Sequence, residues 1–310
     1  MSRTITSRTI TFRSIMFRAI FSHSTLFATA FSFSFLSLSA PPEVTEIWRL
    51  TEGLEQPESV IFDPIRSRYY VSNMAGDPLA HDGKGGIAIV SADGKLVNPE
   101  WITGLDAPKG MTITNNELVV TDINRVCFIN LEDVSQQRFF IVEGAKSLND
   151  VTVSEDGTVY VSDVLDNTLY RIRGNQLDQL LSSADLQTPN GLYAYDNRLY
   201  VASWGDLTDG FNTEVPGHVK ALDISSGELR SLGEGNSLGN LDGLERLSNG
   251  SFFATDWMQG SLLHVSADGS GQQVLQLEQG SADLTVVETQ STVVIPLMLS
   301  NQVVAYKYRF

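Results

Sequence analysis

Leu148-Asn-Asp-Val-Thr-Val-Ser-Glu-Asp-Gly-Thr-Val-Tyr-Val-Ser-Asp163 contains two short alternating apolar runs separated by a Glu-Asp-Gly turn, the pattern of an antiparallel hairpin. Leu169 to Ile172, an Arg-Gly-Asn turn and a run around Gln179 to Leu181 extend the hairpin to four strands. The opening of this unit recurs along the chain. Pro57-Glu-Ser-Val-Ile-Phe-Asp63, Pro108-Lys-Gly-Met-Thr-Ile-Thr114, Pro189-Asn-Gly-Leu-Tyr-Ala-Tyr195, Leu241-Asp-Gly-Leu-Glu-Arg-Leu247 and Ser281-Ala-Asp-Leu-Thr-Val-Val287 share its layout. Their second residues are Glu58, Lys109, Asn149, Asn190, Asp242 and Ala282, spaced by 51, 40, 41, 52 and 40. A unit of about 40 residues repeated six times is the period of a propeller blade. The expected fold is therefore all-β, a six-bladed β-propeller over residues 43–310.

The sixth unit ends after three strands, Leu284 to Glu288, Thr292 to Pro296 and Gln302 to Tyr308. Thr45 to Glu52 precedes the first unit as an outer strand would. We therefore expect this N-terminal strand to complete blade six, which removes the free edges of an open array. Units one and four carry insertions of about 11 residues, Met74 to Gly86 and Gly205 to Gly217, each after a second strand. Connections alternate between faces in a meander, so both insertions should lie on the face that holds the six second residues. Loops this long and this rich in Gly, Asp and Pro often form functional rims.

Residues 1–42 carry Arg3, Arg8, Arg13 and Arg18, many Ser, Thr and Phe, and no acidic residue, and they read as a targeting segment. From Met16, a short basic region, an apolar run and a small residue at Ala40 point to export, periplasmic or secreted; the Arg- and Ser-rich composition also fits an organelle transit peptide. The apolar run is too short and serine-rich to span a bilayer, so no membrane insertion of the mature chain is expected. Without the leader, 17 basic side chains face 37 acidic ones. That balance excludes nucleic acid as a partner, because phosphate binding needs a basic face. Cys127, the single cysteine, lies in an apolar run and should be a buried, inert thiol.

Radial symmetry directs equivalent positions toward one axis, so Glu58, Asn149, Asn190 and Asp242 should converge there. Four oxygen-bearing side chains suit a hard divalent cation. The ordered set Leu-Asn-Asp at Asn149, Pro-Asn-Gly at Asn190 and Leu-Asp-Gly at Asp242, with Glu58 from the first blade, resembles the calcium-dependent six-bladed propellers of the SMP-30/gluconolactonase family, which are similar to diisopropylfluorophosphatase-type enzymes. The resemblance covers residues 45–310. It implies Ca2+ held by Glu58, Asn149, Asn190 and Asp242, and a hydrolase acting on a small lactone, ester or organophosphate-like substrate. In that setting Asp242 either takes a proton from water or attacks directly.

The chain departs from the family pattern in three ways. Lys109 occupies the ring position of blade two, where its ammonium either donates to a substrate oxygen or fills the channel in competition with the metal. Ala282 stands where some phosphotriesterase and paraoxonase-like relatives place a channel histidine. Ser147 and Leu148 precede Asn149 where sugar-acid lactonases carry an arginine, which argues against a gluconolactonase in the strict sense. Two other classes share the architecture: a non-catalytic binding module with a structural ion, and a strictosidine-synthase-like condensing enzyme.

Other residues read as supports. Asn73, Asp122, Asp163 and Asp256 end second strands and should cap loop backbone. Trp204 and Trp257 follow on the ring face and either wall an apolar pocket or pack in the core. His81 lies in the first insertion and His218 just after the second, where each either reaches the mouth or stands exposed to solvent, and His264 should lie toward the far face. Gly235-Asn-Ser-Leu-Gly239 matches a nucleophile elbow in letters only, because no strand-to-helix turn surrounds it.

Overall fold

The computed structural model describes residues 41–310; the targeting reading of residues 1–42 rests on a segment outside the described residues, apart from its last two positions. Six four-stranded antiparallel sheets follow one another. Blade one comprises Pro57–Asp63, Arg68–Asn73, Gly85–Ser91 and Leu96–Leu105. Blade three comprises Leu148–Val153, Val159–Asp163, Thr168–Arg173 and Gln176–Ser182. In blade six the strand Glu43–Leu50 pairs with Gln302–Arg309, with Glu43 opposite Arg309 and Leu50 opposite Val303. The N-terminal strand thus supplies the outer edge of the last blade. No helix among the described residues is long and apolar enough to cross a membrane.

Period-two alternation explains how the blades hold together. Each strand turns alternate side chains to the blade before and the blade after. Leu118, Val120 and Cys127 of blade two pack against Tyr70, Ile87 and Ile89 of blade one. Val119, Val126 and Phe128 of the same blade face Val151, Val161 and Tyr170 of blade three. Four further apolar clusters fill the other interfaces, the last joining Val71, Ala88 and Val90 of blade one to Val294, Val303 and Ala305 of blade six. Cys127 is fully buried, and burial pushes its thiol up to about 12, so it stays protonated and inert.

A register break recurs at the innermost strand. Pairing skips between Pro57 and Val60, Pro108 and Met111, Leu148 and Val151, Pro189 and Leu192, and Leu241 and Leu244. The two residues released in each blade include the ring residue, and a bulge of this kind re-aims side chains. The released backbone is caught by the neighbouring second strand. Thr121 donates to the Asn149 carbonyl, Ser162 to that of Asn190 at 2.8 Å, and Thr255 to that of Ala282 at 2.9 Å. Glycine follows the ring residue where inner strands of neighbouring blades come close: a Cβ at Gly191 would lie 2.2 Å from the Asp242 carbonyl.

Candidate functional site

Glu58, Lys109, Asn149, Asn190 and Asp242 line one cavity of about 170 Å³ on the insertion face, and all five are buried. Polar side chains at the ends of second strands hold the loops that deliver three of them. Asp122 accepts from the Asp106 and Ala107 amides ahead of Lys109. Asp163 accepts from Lys146 and Ser147 ahead of Asn149, at 2.7 and 3.0 Å. Asn73 accepts from the Glu55 amide ahead of Glu58. In blades two and three the motif Val-Ser/Thr-Asp therefore serves twice, its hydroxyl holding the next blade's ring backbone and its carboxylate holding its own blade's approach loop, whereas the Ser72 hydroxyl of blade one bonds Ser59 of its own blade.

The ring carboxylates are short of partners. Glu58 Oε2 and Asp242 Oδ1 are buried oxygens that accept no hydrogen bond. The other Asp242 oxygen accepts from Asn190 Nδ2 at 3.2 Å. Burial raises the pKa of Glu58 well above the carboxylate range, and repulsion from Asp242 raises it further. Burial likewise raises Asp242, with repulsion from Asp283 adding to it. Unpartnered buried carboxylate oxygens are costly, and in native proteins such groups commonly meet an ion or water. Two carboxylates and two amides form a hard oxygen donor set, so the residues fit a divalent cation. Among the described residues no group of three or more His, Cys, Asp or Glu is arranged to hold a metal, so a cation here would depend on the two amides as well.

Lys109 spans the ring and the first insertion. Its Nζ donates to the Pro78 and Ala107 carbonyls, both at 3.1 Å, leaving one of three donors for the cavity. Burial lowers its pKa, while Glu58 and Asp122 hold it up.

Sequence reasoning passed over the residues one step beyond the ring. Asp150, which is buried, and Asp283, which is partly buried, line with Glu245 a second cavity of about 250 Å³ farther along the same inner strands. Their oxygens are satisfied: Asp150 accepts from the Val151 and Leu192 amides, and Asp283 from Ser59 Oγ at 2.6 Å and the Leu284 amide at 2.8 Å. Burial pushes Asp283 up to about 6. The repeat alignment that found the ring contains these positions too, one residue later, as Ser59, Gly110, Asp150, Gly191, Gly243 and Asp283.

The second insertion forms a small hairpin, Gly205–Leu207 with Thr213–Pro216, which seats Phe211 over Trp204 at 5.7 Å. Trp257 stands 5.8 Å from Trp204, so both tryptophans wall the cavity. His81 lies outside it, bonded to Asp106 at 2.9 Å, and His218 meets Ser231 at 2.8 Å. His264 packs against Phe253 and Phe310, with its buried Nε2 unpartnered.

No family model matches the chain, and no curated protein sequence matches it. Solved structures do. A gluconolactonase from Xanthomonas campestris aligns with a TM-score of 0.64 at 16% identity, over 87% of this chain and 96% of that one. A virginiamycin B lyase from Staphylococcus aureus aligns at 0.60 and 12%, over 86% and 99%. A chain of a nidogen/laminin complex aligns at 0.56 and 17%, over 70% and 78%. At these identities the likeness establishes the propeller fold, and the fold is shared by proteins named for different tasks.

Proposed function

We propose that this protein is a divalent-cation-dependent hydrolase, with calcium as the ion and a small lactone, ester or organophosphate-like molecule as substrate. The observation that carries the reading is the pair of buried, unpartnered oxygens on Glu58 and Asp242 at the base of a cavity with apolar walls. Glu58, Asn149, Asn190 and Asp242 would hold the ion. A bound divalent cation would supply Lewis-acid polarisation of a carbonyl or phosphoryl oxygen.

The chain's own residues supply the rest. Asp242 would accept a proton from an attacking water. The water oxygen then bonds to the acyl or phosphoryl centre, the bond to the leaving oxygen breaks, and the proton passes from Asp242 to the departing alkoxide oxygen. In the direct alternative, the Asp242 carboxylate forms that bond itself and water later releases the product. The free donor of Lys109 is available to the oxyanion that develops in either route. Likeness to a gluconolactonase supports this class of chemistry.

A second reading is a binding module with a structural ion, favoured by the tether of Lys109 to Pro78 across the mouth. Purified protein assayed on lactones, aryl esters and phosphotriesters, with calcium and with chelator, separates the two. The hydrolase reading expects calcium-dependent turnover that Asp242→Asn lowers about a hundredfold or more. A calcium-induced rise in melting temperature with no turnover on any substrate supports the module instead.

A further inference from the structure

The ring tells what reacts; the walls tell what the rest of the substrate must be. Above the five polar ring residues the lining is Met74, Pro78, Leu79, Val164, Met298 and the aromatic group Trp204, Phe211 and Trp257, with Ser147 the one other polar side chain among the lining residues. The Trp204 indole N–H is already spent on the Phe211 carbonyl at 2.9 Å. Asn240 holds the Trp204 carbonyl at 2.9 Å and Thr213 at 2.8 Å, so the aromatic wall is fixed from blade five as well as from the hairpin. A rigid wall whose Trp204 donor is engaged offers area and little hydrogen bonding.

We propose, resting on the hydrolase reading, that the site selects monopolar substrates: one lactone or ester group directed at the ring and an unsubstituted alkyl or aryl body against the tryptophans. Polyhydroxylated lactones are disfavoured, because each hydroxyl held against the apolar wall, away from the ring, leaves water without gaining a partner. The cavity of about 170 Å³ corresponds to roughly six water volumes at about 30 Å³ each, enough for a small ring and a short chain. Longer chains would pass Phe211 and Leu79, both half-exposed at the rim.

The test uses unsubstituted and 5-alkyl γ-lactones from methyl to octyl, with D-glucono-lactone as the polyol, and the matching γ-lactams as non-hydrolysed probes. Turnover is measured with calcium, and lactam binding by tryptophan fluorescence with calcium and with chelator. Lactam affinity is expected to rise about fourfold per methylene until the cavity is filled and then to flatten. The specificity constant should favour pentyl over glucono-lactone by about a hundredfold or more. Phe211→Ser, a rim substitution that spares the core, should lower octyl-lactam affinity about tenfold and methyl-lactam affinity much less. A flat chain-length series, or glucono-lactone processed as well as the pentyl compound, overturns the proposal while leaving the hydrolase reading intact. Lactams that follow the series in a protein without turnover would sustain the pocket assignment and remove the hydrolase.

Discussion

Asp163→Ala should loosen the loop that carries Asn149. Asp163 is fully buried, and its carboxylate accepts from the amides of Lys146 at 2.7 Å, Ser147 at 3.0 Å and Leu165 at 3.2 Å. Each buried amide left without an acceptor costs about 1–3 kcal/mol. Lys146 is exposed, so water can satisfy its amide in the variant, and the substitution also relieves the desolvation that raises the Asp163 pKa. The expected net loss is about 2–4 kcal/mol, or about 4–7 °C in melting temperature for a chain of this size. Asp163→Asn keeps one acceptor but turns an Nδ2–H toward an amide, and should fall between the two. Urea unfolding followed by circular dichroism gives the stability, and calcium titration should show about tenfold weaker binding, since Ser147 leads directly to Asn149. A loss below about 0.5 kcal/mol in Asp163→Ala, at unchanged denaturant slope, would refute the idea that this carboxylate positions the ring.

Stability of the cation-free protein should fall as pH rises. Asp283 is raised to about 6 in the folded chain, so the native state holds the extra proton between the ordinary carboxylate range and that value, and its contribution is lost as pH climbs through it. From pH 5 to pH 8 this group alone removes about 1.4 kcal/mol, with Glu58, Asp150 and Asp242 acting in the same direction; Asp283→Asn should shrink the slope, and chelated protein with a flat profile would contradict the shift. Deleting through Glu52 removes the strand paired to Gln302–Arg309 and should expose an edge that aggregates, whereas a deletion ending at residue 42 should leave the propeller's melting temperature unchanged. Size-exclusion chromatography that finds the longer deletion monomeric and equally stable would reject this closure. Lys109→Met distinguishes its two roles: loss of turnover with intact calcium binding marks the ammonium as an oxyanion donor, and tighter calcium binding marks it as a competitor.

Blade number, ring positions and the closing strand were legible in the sequence because they follow from local rules. Alternation, turn residues and a 40-residue repeat specify a blade without knowledge of its neighbours, and radial symmetry then converts equal positions in sequence into one axis in space. The expected caps at Asn73, Asp122 and Asp163 were legible for the same reason, as polar residues at fixed offsets from strand ends. What the sequence left open depends on distances between blades. How many of the three Lys109 donors remain for the cavity is one such question: the Pro78 and Ala107 carbonyls take two, a contact set by how the first insertion folds back. Trp204 offered core or pocket until the hairpin placed Phe211 against it. Asp150 and Asp242 are both buried carboxylates beside the axis, yet only packing gives Asp150 two backbone donors and leaves one oxygen of Asp242 with none. Residue type fixes what a side chain is able to bind; the neighbours that reach it first decide whether any of that capacity remains for a ligand.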